Sequence, residues 1–281
     1  MKFTNPEIPE ATQKKLGVLG QLMEAGRLGL ILVIGLGLAA FLFFYAGTLV
    51  GQFVPFKWEQ KLAIAQFFPL SEPHPPEALA KEAALQSLAE RIAAGMNLDP
   101  EIKITVHYRD LDIVNAFAGF AGHIFIFEGL LEKLRYEEEV AALLAHEIGH
   151  VKNRHIMQSF SANVLLTLAF YVVAGDSGAV DSLGQAILTL EGIQFTRRME
   201  VEADDEALDS LRDLYGGVGG FVSLFQVFDD ATRVDGRGYQ FLQTHPYSEK
   251  RLAKAEEFAA EEGVLLDPPG ITWPQGEDDR P

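Results

Sequence analysis

Residues 136–151 read YEEEVAALLAHEIGHV, and this stretch decides the fold. Glu137, Glu138 and Glu139 stand where the positive end of a helix dipole favours acids. Val140, Leu143, Leu144, Ile148 and Val151 then recur at three- and four-residue intervals, the apolar stripe of an amphipathic helix. On that helix His146 and His150 are about 40° apart around the axis and project from one face. Two imidazoles so placed can grip one zinc ion. Glu147 lies about 60° further round on the same side, within reach of a water on the metal, and is the candidate general base.

A catalytic zinc takes three protein ligands and keeps a fourth position open. The extended HExxHxxGxxH solution is excluded here, because Asn153 stands at its glycine place and Ile156 at its last histidine place. His155 falls about 140° around the helix from His150 and reads as a surface histidine or an outer partner of the site. Downstream, TRRMEVEADDEA at 196–207 offers Glu200 and Asp204 at i, i+4 on a second helix. One of the two can ligate the metal while the other accepts the free ring N–H of a ligating histidine and fixes its tautomer. Glu202, Asp205 and Glu206 read as the solvated face of that helix.

Upstream, Ile102, Ile104, Val106 and Tyr108 alternate with Lys103, Thr105 and His107, and residues 111–117 and 123–127 are two further strand candidates. A small sheet therefore precedes the zinc helix. An exposed edge at Asn115, Ala116 and Phe117 can pair main chain to main chain with an extended peptide. Glu77–Met96 reads as a helix ended by Gly95 and Asn97. The GGVGG run at 216–220 lacks the lysine and spacing of a phosphate loop and lets the chain turn before a helix over Phe221–Phe228.

Several stretches now fall into one order: NAFA at 115–118 and GLL at 129–131, HEIGH at 146–150, EVEAD at 200–204, then THP at 244–246 ahead of the basic KRL at 250–252. In this the chain resembles the membrane-associated zinc metallopeptidases of the HtpX, CAAX prenyl protease and Oma-like group. The resemblance implies a mainly helical α+β domain of zincin type with a small sheet, one zinc per chain, and protein or peptide substrates. It makes His146, His150 and Glu200 the ligands, Asp204 their outer partner and Glu147 the base. It also places His245 beside the zinc cleft, where it either stabilises the oxyanion of the transition state or fills the open zinc position at rest. Where many members have a Leu-Pro-Gly turn this chain has Gly119-Phe120-Ala121-Gly122, a departure that bears on substrate preference and leaves the zinc chemistry alone.

Leu28–Val50 carries no charge, and at helical rise it reaches about 34 Å, enough to cross a hydrocarbon core with some tilt. Its length and the lack of a small-x-small cleavage site after it favour a permanent anchor over a cleavable signal peptide. Lys2, Lys14, Lys15 and Arg27 precede it, against Lys57 and Lys61 in the next stretch. The positive-inside bias then predicts residues 1–27 in the cytoplasm and the catalytic domain on the periplasmic face of a bacterial inner membrane. The expected organisation is an anchor over 28–51, a juxtamembrane linker over 52–75, the catalytic domain over 76–263 and a flexible acidic tail over 264–281. A second apolar stretch, Val164–Val173, follows the polar Gln158, Ser159, Ser161 and Asn163, and its return partner at 183–195 is short and holds Glu191. A buried or membrane-surface helix is expected there rather than a hairpin across the bilayer.

A net charge of −17 without a basic stripe outside the N-terminal segment argues against nucleic acid as a partner. The chain has no cysteine, which the periplasm permits, since disulfides are allowed there and not required. The sequence thus leads to a membrane-anchored zinc endopeptidase, for which the resemblance implies a place in envelope protein quality control, with a non-proteolytic zinc-containing envelope chaperone or assembly factor as the alternative.

Overall fold

The structure, a computed structural model, describes residues 10–66, 75–174, 195–235, 241, 245, 249–267 and 270–274. Helix α1 (Glu10–Phe53) leads into α2 (Phe56–Gln66) and α3 (Pro76–Gly95). Strands β1 (Thr105–Arg109), β2 (Ala116–Ala118) and β3 (His123–Phe127) follow. Then come α4 (Glu128–Leu131), α5 (Glu137–Lys152), α6 (His155–Ala174), α7 (Arg197–Tyr215), α8 (Gly219–Asp235) and α9 (Glu249–Glu262). The mainly helical α+β architecture with a small sheet is as the sequence predicts.

Helix α5 is the centre of the molecule, and every residue from Glu138 to Val151 on it is buried. Its apolar positions meet α3, α7, α8 and the sheet, so His146 and His150 rest on a fully packed element of the fold. The acids of its first turn hold the chain on either side. Glu139 folds back to accept from Arg135 N and Tyr136 N at 2.7 and 3.1 Å. Glu138 accepts from Gly270 N and Ile271 N at 2.9 and 3.1 Å. Those last contacts correct the expected tail. Bridges Gly217–Leu265 and Tyr136–Thr272 fasten the segment, and Trp273 is buried with its N–H on Arg135 O at 2.8 Å. The carboxylates at the helix start need donors, and the segment's main chain supplies them. Residues 275–281 of the acidic tail lie outside the described residues.

The sheet has the order β1-β3-β2, with β1 parallel and β2 antiparallel to β3. Val106, Tyr108, Ile124, Ile126, Ala116 and Ala118 form its buried inner side. The strand expected over 111–117 shrinks to Ala116–Ala118, because Leu111, Ile113 and Asn115 close successive three-residue turns onto Arg109 O, Leu111 O and Ile113 O at 2.9, 2.7 and 3.0 Å. The outer edge of β1 is already satisfied by α3: Gln86 Oε1 accepts from Val106 N at 2.8 Å and Glu82 Oε2 from Tyr108 N at 2.9 Å. An edge so covered takes no further strand. The edge of β2 differs. Phe127 N donates to Asn115 O and Gly119 N to His123 O, so by alternation the peptide groups of Ala116 and Ala118 turn away from β3.

Gly20–Phe53 within α1 is long and apolar enough to cross a membrane. Helix α6 runs antiparallel along the C-terminal part of α1. A Cβ on Gly47 would come within 2.3 Å of Ala162 Cα, and one on Gly51 within 2.5 Å of Gln158 Cα. Glycines four residues apart thus bring the two backbones into contact, a spacing that lets apolar helices pack without a hydrophobic driving force. Within the stretch Val164–Val173, Val164, Leu165, Leu166, Thr167 and Ala169 are half-buried on the helix that packs along α1, while Leu168 and Tyr171 are exposed. Its suggested return partner at 183–194 lies outside the described residues. Helix α2 occupies much of the stretch read as a juxtamembrane linker.

Candidate metal centre

His146, Glu147 and His150 come from α5, and Glu200 and Asp204 from α7. Thr196 caps α7 by accepting from Met199 N, fixing where its first turn begins. Gly149 lets the two helices meet closely, since a Cβ there would lie 3.1 Å from Ala203 Cα. The last member, His245, donates its backbone N–H to Phe241 O at 2.8 Å and stacks on the Phe241 ring. Thr244 and Pro246 lie outside the described residues.

His146, His150, Glu200 and His245 are all buried and turn one ligand atom each into a common space, within 4.8 Å of one another. His146 Nε2 is 3.1 Å from both His150 Nε2 and His245 Nδ1. Glu200 oxygens stand 3.6 Å from His146 Nε2, 3.4 Å from His150 Nε2 and 3.1 Å from His245 Nδ1. Donors at the corners of a zinc tetrahedron, each about 2.0–2.1 Å from the ion, are about 3.3 Å apart. The observed spacings bracket that value, so the residues fit a zinc ion. Both oxygens of Glu147 are buried beside the cluster without a hydrogen-bond partner, and His245 Nε2 stands 3.6 Å from Glu147 Oε1.

The second ring nitrogens are anchored outward. His146 Nδ1 lies 3.1 Å from Asp204 Oδ1, and Asp204 in turn accepts from Arg251 Nε at 2.8 Å and Nη2 at 2.5 Å. Arg251 Nη1 reaches Glu200 Oε2 at 3.1 Å, and its guanidinium lies over Phe225. His150 Nδ1 meets His155 Nδ1 at 2.9 Å, and His155 Nε2 meets Glu202 at 3.0 Å. His155 is thus fully buried as an outer partner of the cluster. Glu202 has a task beyond the solvated face read from the sequence. Asp205 and Glu206 pair with Lys254 and Lys152.

Burial raises the carboxyls of Glu200 and Asp204, but their cationic and imidazole neighbours outweigh it. His245, His150 and His146 hold Glu200 well below the usual carboxylate range, and His146 and Arg251 lower Asp204. Burial pushes the His150 imidazole well down, so its ring stays neutral. An anionic Glu200 beside a neutral His150 is the protonation pattern a metal requires, whereas burial lowers the His245 imidazole but Glu200 and Glu147 outweigh it and raise it.

Arg251 is the residue that sequence reading missed. It was visible only as one of two cations in the basic run after THP, and nothing in the pattern said it would be buried on Asp204 and Glu200. Arg251→Met should destabilise the zinc-saturated protein by about 3–5 kcal/mol, because it leaves buried carboxylate charge unpaired. Denaturant unfolding measures this, and an unchanged midpoint would contradict it.

Asn115, Ala116 and Phe117 are not among the four donors of the metal cluster. Asn115 and Ala116 are buried, and Asn115 Oδ1 has no hydrogen-bond partner, while Phe117 stacks on Phe125 of the neighbouring strand. The link between strand and cluster is Phe241, whose N–H points to Val114 O at 3.5 Å and whose ring carries His245.

Residues 79–259, more than half of the chain, match peptidase family M48. The chain belongs to peptidase family M48. Over 164 residues it is 30% identical to the mitochondrial metalloendopeptidase OMA1 of Schizosaccharomyces pombe, covering 57% of this chain and 49% of that protein. It is 30% identical over 156 residues to the metalloprotease LoiP of Escherichia coli, covering 54% of this chain and 61% of the relative. Over 189 residues it is 28% identical to the beta-barrel assembly-enhancing protease of Yersinia pestis, covering 61% and 37% of the two. The chain therefore spans less than two thirds of the length of these relatives. The M48 domain is a metallopeptidase domain, and the matched stretch contains every residue of the cluster.

Proposed function

We propose that this M48 chain is a membrane-anchored zinc endopeptidase that cleaves extended segments of envelope proteins at the periplasmic face of a bacterial inner membrane. The observation that carries the reading is the buried set of donors at zinc-tetrahedral spacing beside an unpartnered Glu147 carboxylate. Two of the similar proteins are bacterial, and one is named for enhancing β-barrel assembly, which supports an envelope role.

Zinc, when bound, supplies a Lewis acid that polarises the scissile carbonyl and makes the attacking water more acidic. His146, His150 and Glu200 hold it, with Asp204 fixing the His146 ring. Glu147 accepts the proton of the attacking water and returns it to the leaving amine. Asn115, Ala116 and Phe117 form the substrate strand; Ala116 and Ala118 are buried as the chain stands, so an extended segment bonds their outward peptide groups only once that edge is uncovered. A chelator should abolish cleavage of an unfolded protein by the reconstituted full chain, and added zinc should restore it. Zinc-dependent suppression of aggregation without any cleavage would instead support the chaperone reading.

His245 approaches as a fourth donor, at the position that water needs, and this supports its role as a closing ligand at rest. His245→Ala should then raise basal proteolysis. A fall in kcat of about 10²-fold or more at unchanged zinc content would assign the histidine to the oxyanion instead.

With α1 across the bilayer, Val164–Val173 follows it into the apolar layer alongside the C-terminal half of the span, since the two helices are antiparallel and in contact. A reporter fused after Pro281 should read the periplasmic side in a bacterial host. A cytoplasmic signal would reverse the orientation.

A further inference from the structure

Helix α2 begins at Phe56, with two residues between it and the end of α1, and its sides have opposite chemistry. Phe56, Glu59 and Ala63 are buried against the catalytic domain. Lys57, Trp58 and Lys61 fall on the opposite side at 100° per residue and are exposed, Trp58 by 58%. Lys61 Nζ lies 4.9 Å over the Trp58 ring, and both lysines are exposed beside the indole. Two lysines around an exposed tryptophan are unusual for a chain of net charge −17.

The buried side of α2 is wired to the cleft. Glu59 accepts from Arg154 Nε at 2.7 Å and from Ala121 N at 3.3 Å, while Arg154 Nη2 donates to Val54 O at 2.8 Å. Arg154 follows the zinc helix directly, and Ala121 lies in the turn that joins β2 to β3. One carboxylate thus joins the juxtamembrane helix to the end of the metal-bearing helix and to the substrate strand.

We propose that α2 is an interfacial helix that seats Lys57, Trp58 and Lys61 in the anionic headgroup layer of the bilayer crossed by α1, and that Glu59 and Arg154 carry this seat to the cleft, fixing its height above the membrane. The proposal rests on the reading of α1 as a span. The headgroup region is about 5–8 Å deep on each side of the hydrocarbon core, and only Val54 and Pro55 separate the apolar helix α1 from α2, which keeps the indole close in the chain to that layer. Tryptophan and lysine are the residues that settle there, the ring among the glycerol groups and the ammonium on phosphate. Continuity with α1 and the sign of the charge single out lipid as the occupant of this face.

The full chain contains two tryptophans, and Trp273 is buried, so the difference between the wild type and Trp58→Phe reads Trp58 alone. Both are reconstituted in vesicles of phosphatidylcholine and phosphatidylglycerol, with bromine placed high or low on the acyl chains of the phosphatidylcholine. The Trp58 signal should lose most of its intensity to shallow bromine, less to deep bromine, and little to aqueous iodide. Lys57→Glu combined with Lys61→Glu should restore iodide access. Phe43→Trp in the Trp58→Phe background reports on α1 separately and should be quenched by deep bromine. If Phe43→Trp responds while Trp58 remains open to iodide and blind to bromine, the interfacial seat is wrong and the anchor stands. If neither responds to bromine, the anchor itself fails and the seat with it.

Discussion

Glu147→Gln in the full chain should lower kcat on an unfolded protein by about 10²–10⁴-fold, the range for a general acid–base group, with zinc content unchanged. The amide keeps the shape of the side chain but cannot accept the proton of the attacking water. Both oxygens of Glu147 lack a hydrogen-bond partner and its neighbour His245 Nε2 stands 3.6 Å away, so the substitution breaks no hydrogen bond and the fold should unfold close to the wild-type midpoint. Equal loss of zinc and activity would make Glu147 structural. Retained activity would remove it from the reaction.

Glu200→Ala should reduce zinc affinity as severely as His146→Ala, and by more than the about 10- to 100-fold typical of removing an outer partner such as Asp204. Each variant deletes one donor from a buried set. Glu200→Ala also leaves Arg251 facing an empty position, so apo protein of this variant should unfold earlier than apo wild type. Zinc titration against a competing chelator orders the variants. Full occupancy in Glu200→Ala would exclude Glu200 as the third ligand.

The metal-bearing helix was legible because its signals are local: acids at the start, a 3.6-residue stripe, and two histidines on one face. Glu200 and Asp204 were legible as a pair, although spacing alone left open which one faces the ion. The distances place Glu200 among the donors and Asp204 behind His146. Other features depend on where distant segments meet. The burial of Arg251 on Asp204 joins residues far apart in sequence, and no periodicity announces it. The docking of Val264–Asp267 and Gly270–Trp273 was hidden because the tie to α5 is made through main-chain N–H groups that accompany any sequence. The second strand was read too long, since the alternation of Leu111, Ile113 and Asn115 suits a series of tight turns as well as a strand. Val164–Val173 was read as apolar without its partner, which proved to be α1, brought close by Gly47 and Gly51.

X-ray absorption at the zinc edge of the full chain tests the central claim most directly. One zinc per chain in a four-coordinate nitrogen and oxygen shell at about 2.0–2.1 Å, with the multiple scattering of imidazole, is the predicted result. A chain that takes up no zinc under conditions where it is folded, or a shell of oxygens without imidazole scattering, would contradict the assignment of His146, His150 and Glu200 as the metal centre.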